Sequence, residues 1–277
     1  MIATIPVGGS PFGVAVNPAG TRVYVANASN SSGSVSVIDT ATNTVIATIP
    51  MPARVMGVAV RPDGTRVYVS NDFAGTVSVI DAASNTVVAT VPASGLLGLV
   101  VNPAGTRVYS GFGCCAAAVI DTATNTVSST IPLPGFPSPQ GFAINPAGTR
   151  VYISNTSNAN VSVIDTATNT IIATVPVGNS DVTPDGLNVY VANSSSASVS
   201  VISTATNTVI ATLPTGSGSA PFAFGKFIGG AVGTPPPPVP PAAPTDIPTL
   251  SEWGLLSMAL LLALAGVFAF RRRATGR

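Results

Sequence analysis

Histidine is absent from the 277 residues, Glu252 is the sole glutamate and Lys226 the sole lysine. A Ser-His-Asp triad and a histidine-ligated metal site are therefore excluded. Acid–base chemistry is left mainly to Asp, Tyr and Lys226, which argues against an enzyme. Basic residues number 11 and acidic residues 10, and four of the basic ones fall in the last seven positions. The rest of the chain is close to neutral and carries no electrostatic footprint for nucleic acid. Cysteine stops at two, Cys114 and Cys115, too few for a disulfide framework or a four-cysteine zinc site. The adjacent pair is read as two small loop residues, a vicinal disulfide or a crosslink between chains. No cofactor and no metal are expected.

What is present is apolar and turn-rich. Hydrophobic residues make up 46%, with 27 glycines and 25 prolines. Gly and Pro at that density interrupt helices, and many short strands joined by tight turns fit better. The string NPAGTRVY occurs at 17–24, 102–109 and 145–152, with variants at 61–68 and 183–190. Its tyrosines, Tyr24, Tyr68, Tyr109, Tyr152 and Tyr190, are spaced 44, 41, 43 and 38 residues apart. A second string, VIDTATNTVIATIP at 37–50, follows the first and recurs with small changes at 79–92, 119–132, 163–176 and 201–214.

Each of the five units holds four strand candidates, which in the first lie at 12–16, 22–26, 34–38 and 44–49. They are rich in Val, Ile, Thr and Tyr, as half-buried pleated strands require. Pro-Ala-Gly or Pro-Asp-Gly joins the first strand to the second, and Asp-Thr-Ala-Thr-Asn joins the third to the fourth. Both are turn chemistry. A period near 40–45 residues with four strands predicts an all-β fold, a β-propeller of four-stranded blades. The first strand should be innermost, because Gly13, Ala15, Gly57 and Ala59 fit a crowded axis.

The repeated RVYVAN and VSVIDTATNTVIATIP resemble the YVTN family of β-propeller repeats over roughly residues 1–228. That resemblance implies an exported or surface propeller of about seven blades, and some related propellers are lactonase-like. Residues 1–6 match only a fourth strand and residues 221–228 only a first strand. The five repeats are thus expected to be part of a larger ring, with coding sequence upstream of Met1. The fifth unit has lost most of its first strand.

The chain divides into a propeller at 1–230, a Pro-rich linker at 231–246 and a tail at 247–277. TPPPPVPPAAPTD at 234–246 favours extended polyproline II, a semi-rigid spacer. The tail begins IPTLSEWG, continues through an apolar run at 255–270 broken only by Ser257, and closes with Arg271, Arg272 and Arg273. With Trp253 and Gly254 that run reaches the lower limit of a membrane span, roughly 17–25 residues. The arginines then stay cytoplasmic and the propeller lies outside.

The tail resembles the IPTL-CTERM class of bacterial sorting signals. That resemblance implies recognition of Ile247, Pro248, Thr249, Leu250, Trp253 and Gly254 by an exosortase-type processing enzyme, with Arg271, Arg272 and Arg273 setting topology. The chain begins without a basic region, a long apolar run or a cleavage site of signal-peptide type, a second reason to expect further sequence upstream.

Strand order puts the loops of each unit on two faces. The turns between strands one and two and between three and four share a nearly uniform face. The other two loops share a face that varies between units, as at 27–33, 71–75, 111–116, 155–160 and 193–197. Variation on a repeated scaffold is read either as a binding face or as neutral drift in surface loops; Asp72, Phe73, Phe112 and Asp181 are the binding candidates, with loop packing the other reading of the two phenylalanines. Asp63 and Asp185 sit in Pro-Asp-Gly turns. On the uniform face, Arg22 with Asp39, Arg66 with Asp81, Arg107 with Asp121 and Arg150 with Asp165 are expected as cross-strand ion pairs.

These readings favour an envelope or surface propeller that binds or builds, with a membrane helix as anchor before processing. Its ligand would be an envelope polysaccharide or protein. The alternative is a lactonase-like extracytoplasmic hydrolase.

Overall fold

The computed structural model describes residues 3–29, 32–93, 98–135, 138–178 and 182–215. Within them lie five four-stranded antiparallel sheets, each ordered as its strands occur in sequence. Blade 1 comprises β1 (Pro11–Val16), β2 (Arg22–Asn27), β3 (Ser34–Asp39) and β4 (Thr44–Pro50). Blade 2 comprises β5 (Val55–Val60), β6 (Arg66–Asn71), β7 (Thr76–Asp81) and β8 (Thr86–Pro92). Blade 3 is β9 (Leu99–Val101), β10 (Arg107–Phe112), β11 (Ala116–Asp121) and β12 (Thr126–Pro132). Blade 4 is β13 (Pro139–Ile144), β14 (Arg150–Asn155), β15 (Asn160–Asp165) and β16 (Thr170–Pro176). Blade 5 is β17 (Val182–Pro184), β18 (Asn188–Asn193), β19 (Ser198–Ser203) and β20 (Thr208–Pro214). The shortened first strand expected in blade 5 is present as the three-residue β17, and β9 is equally short. The linker, the apolar run and the basic end lie outside the described residues. Among the described residues, no helix is long and apolar enough to cross a membrane.

The turns form for local reasons. In NPAG, the Asn17 side-chain oxygen accepts from the Arg22 amide and Gly20 takes φ +70°, a conformation that costs glycine little. In DTATN, the Asp39 carboxylate accepts from the amides of Ala41 and Thr42, and Asn43 takes φ 55°. The same Asp arrangement recurs at Asp81, Asp121 and Asp165. These amides hold all four carboxyls below the ordinary aspartate range.

First strands pack on one another in sequence, β1 on β5, β5 on β9, β9 on β13 and β13 on β17. A Cβ on Gly13 would overlap the Met56 carbonyl oxygen, and one on Gly98 the Gln140 carbonyl oxygen. Backbone therefore approaches backbone across blades, as the small residues of the first strand imply. The core sits between blades. Tyr24, Ala26, Val35, Val37 and Ile49 of blade 1 meet Val55, Val58, Val67, Val69 and Ile80 of blade 2. The pattern repeats at the next three boundaries. Fourth strands alternate exposed and partly covered residues, because one face looks to solvent.

The arginines of RVY only partly follow the expected pairing. The register is as foreseen: Arg22, Arg66, Arg107 and Arg150 stand opposite Asp39, Asp81, Asp121 and Asp165. An ion pair forms at Arg66–Asp81. Arg22 instead donates to the Ala82 carbonyl of blade 2, and Arg107 to the Thr166 carbonyl of blade 4 at 2.9 Å. These arginines staple blade to blade rather than strand to strand.

Candidate functional site

The variable face carries one assembly that sets its blade apart. At the mouth of blade 2, Arg54 precedes β5, and Asp72 and Phe73 follow β6. The Asp72 amide donates to the Arg54 carbonyl at 2.9 Å, tying the two loops together. The same backbone bond joins Ala28 to Ser10 in blade 1 and Thr156 to Ser138 in blade 4, so these positions are equivalent. Ser-Ala-Ser in blade 1 and Ser-Thr-Ser in blade 4 become Arg-Asp-Phe in blade 2.

The three replacements work as a unit. Arg54 ion-pairs with Asp72, whose side chain is nearly buried. The Arg54 guanidinium lies 4.4 Å from the Phe73 ring centroid, within cation–π range. Phe73 is 68% exposed, so an aromatic ring, braced from beneath, is offered to solvent. The Asp72 carboxylate is thus engaged by Arg54. Arg54 was not among the candidates from sequence. Its signal was that the loops of this face between residues 7 and 197 hold no other Lys or Arg.

Phe112 has a different environment. It occupies the position held in the other blades by Asn27, Asn71, Asn155 and Asn193, as the strand registers show. Each of those asparagines is buried and donates to two side chains of the third strand, for example Asn71 to Thr76 at 2.9 Å and Ser78 at 2.8 Å. In blade 3 all three members change together, to Phe112, Ala116 and Ala118. Phe112 is half-buried and packs on the core between blades 2 and 3. Asp181, the sorting residues Ile247, Pro248, Thr249, Leu250, Trp253 and Gly254, and Arg271, Arg272 and Arg273 lie outside the described residues.

Cys114 and Cys115 are joined by a disulfide in the loop after β10. Cys114 is exposed at the variable face, and its carbonyl accepts from the Ser138 amide at 3.3 Å. Of the three readings open from sequence, the vicinal disulfide is the one observed.

The uniform face holds a cleft of about 430 Å³ between blades 1 and 2, lined by Arg22, Asp63, Arg66, Asp81 and Ala82 among others. Its charges are committed internally. Asp63 pairs with Arg61 at 3.1 Å and accepts from Thr65. Ala82 stands where Thr40, Thr122, Thr166 and Thr204 donate to a turn glycine carbonyl at 2.7–3.1 Å, so the cleft opens where that threonine is missing. Among the described residues, no group of three or more Asp, Glu, Cys or His is placed to hold a metal.

The fold and tail together define a propeller-like repeat domain with a sorting signal. A family profile for the IPTL-CTERM motif matches residues 246–274. Among solved structures, hydrazine synthase of Kuenenia stuttgartiensis is similar at 24% identity and TM-score 0.66, covering 76% of this chain and 68% of that one. A functionally unknown protein from Desulfotomaculum acetoxidans is similar at 15% identity and TM-score 0.62, covering 76% and 72%. At these identities the likeness is one of fold. No curated protein sequence matches the chain.

Proposed function

We propose that the chain is an exported propeller, sorted to the envelope or cell surface, that acts as a binding or structural module and not as a catalyst. The IPTL-CTERM motif at 246–274 is the observation that carries the localisation. In this reading Ile247–Gly254 is the element that an exosortase-type enzyme recognises. The apolar run at 255–270 anchors the chain until processing, and Arg271, Arg272 and Arg273 keep the end cytoplasmic.

The binding role draws on the contrast between the faces. One is uniform, with charges spent on turns and staples. The other carries the Arg54–Asp72–Phe73 assembly, whose exposed ring suits stacking against a sugar face or an apolar side chain. Against catalysis, Asp72, a buried carboxylate of that face, is paired with Arg54. Purified protein should bind an envelope polysaccharide or protein fraction, and Phe73→Ala should weaken that binding about tenfold, or ~1.4 kcal/mol. Lactone hydrolysis by the purified chain, abolished by Asp72→Ala, would instead establish the hydrolase reading.

A further inference from the structure

The variable-face loop of blade 3 is built differently from its counterparts. Phe112 pairs with Ala116 across β10 and β11, which leaves three residues between them, Gly113, Cys114 and Cys115. Four residues fill the same loop at 72–75, 156–159 and 194–197. The last residue of each loop offers its carbonyl to the chain beyond the fourth strand. Cys115 accepts from the Leu133 amide at 2.8 Å, Gly75 from Ala93 at 3.1 Å, Ala159 from Val177 at 3.0 Å and Ala197 from Thr215 at 2.9 Å. Gly75, Ala159 and Ala197 take positive φ at this position and Cys115 does not; the left-handed residue of blade 3 is Gly113, at φ 61°. The Cys114–Cys115 disulfide closes a small ring on the backbone of this shortened turn. The Cys114 carbonyl belongs to the peptide inside that ring, so the disulfide fixes its direction.

That carbonyl reaches the next blade. It accepts from the Ser138 amide, and the Ser138 carbonyl accepts from the Thr156 amide at 3.4 Å and the Thr156 hydroxyl at 3.1 Å. The Ser157 hydroxyl donates to the Ser138 hydroxyl at 2.9 Å. The loops of blades 3 and 4 are thus joined through Ser138, and the ring holds the first link. Cys114 is exposed and Cys115 half-buried, so an external thiol meets Cys114 first. We propose that Cys114–Cys115 is a reversible thiol-exchange site for a dithiol, and that its opening releases the blade 3 loop from Ser138. A thiolate of the dithiol attacks the Cys114 sulfur, the bond to Cys115 breaks, and Cys115 leaves as a thiolate that takes up a proton. The second thiolate of the dithiol attacks its own first sulfur in the mixed disulfide and frees Cys114, which takes up the other proton. Two electrons pass to the protein and the dithiol becomes a disulfide; exchange in the reverse direction closes the ring. The chain has no third cysteine, so the two thiols have only each other as partners within it. This exchange is independent of whether the face binds a ligand.

Dithiothreitol on the folded full chain in detergent tests this. Treatment below the melting transition, then alkylation with N-ethylmaleimide, should add two maleimides to a chain that takes none before reduction. A glutathione pulse quenched with maleimide should leave glutathione on Cys114 and maleimide on Cys115, as mapped by fragmentation. In hydrogen exchange the Ser138 amide should lose protection on reduction, while the strands of blades 3 and 4 keep theirs. Cys114→Ser with Cys115→Ser leaves the ring open and should show the same loss without dithiol; if that variant does not fold, the reduced wild type supplies the comparison. A chain that holds free thiols in air, or is crosslinked to another chain through them, would overturn the proposal. So would reduction only on melting, as a purely structural disulfide requires, glutathione on Cys115, or Ser138 exchange indifferent to reduction.

Discussion

Phe112 shows how one position is tied to its neighbours. Four blades bury an Asn that donates to two side chains of the third strand, and blade 3 replaces all three with apolar groups. Removing one member should cost more than replacing the set, because an orphaned buried hydroxyl keeps its desolvation penalty. Asn71→Phe alone is expected to destabilise by about 1–3 kcal/mol. Asn71→Phe with Thr76→Ala and Ser78→Ala should recover most of that loss in urea unfolding. Gly13 is constrained in another way. The Cβ of Gly13→Ala would meet a backbone carbonyl of blade 2, which cannot rotate aside, so a loss of roughly 1–3 kcal/mol is expected from overpacking. Sequence marked Gly13 as small for a crowded axis. It also singled out Phe112, as a ligand-stacking or a loop-packing aromatic, and the structure packs it on the core. What it hid was that Ala116 and Ala118 change with Phe112 to make an apolar set, since two alanines in a strand draw no notice until register places them beside it.

The strands and turns were almost fully legible, because each string repeats five times and its turn residues have specific chemistry. The expected strand at 22–26 runs to Asn27, and that at 44–49 to Pro50. The arginine staples were not legible. Register places Arg22 opposite Asp39, but the choice between that carboxylate and a carbonyl of the next blade depends on how blades pack. The aspartates follow from their turns, and a pH dependence follows from them. Their folded-state pKa values lie below the ordinary aspartate value of about 3.9, so the unfolded chain protonates first as pH falls. The stability they contribute is present above that value and is lost as pH drops through it toward the folded-state values. Asn at Asp39, Asp81, Asp121 and Asp165 still accepts the turn amides but does not titrate. The fourfold variant should therefore show a flatter fall in denaturant midpoint between about pH 5 and pH 2 than the wild type.

At the scale of the whole molecule, the repeats predicted a propeller, and the chain folds as five stacked blades similar to known propeller-like structures. The variable face was legible as a contrast between loops. Its assembly was not, because Arg54 lies 18 residues from Asp72 and only the pairing of β5 with β6 brings them together. The tail was legible because motif, apolar run and basic end stand in order, and the family profile falls on the same residues. The central claim joins the two parts: a propeller-like domain that we propose is sorted to the cell envelope or surface through its C-terminal signal. The most direct measurement is to express the full chain and a version lacking residues 247–277, each behind a cleavable export signal, in cells with and without an exosortase-type enzyme. External protease sensitivity and mass are then followed. The account predicts that the full chain becomes protease-accessible outside the cell and loses tail mass only when the enzyme is present. It predicts that the version without the tail escapes this processing. An exported full chain that keeps its original mass in both cells would contradict the account.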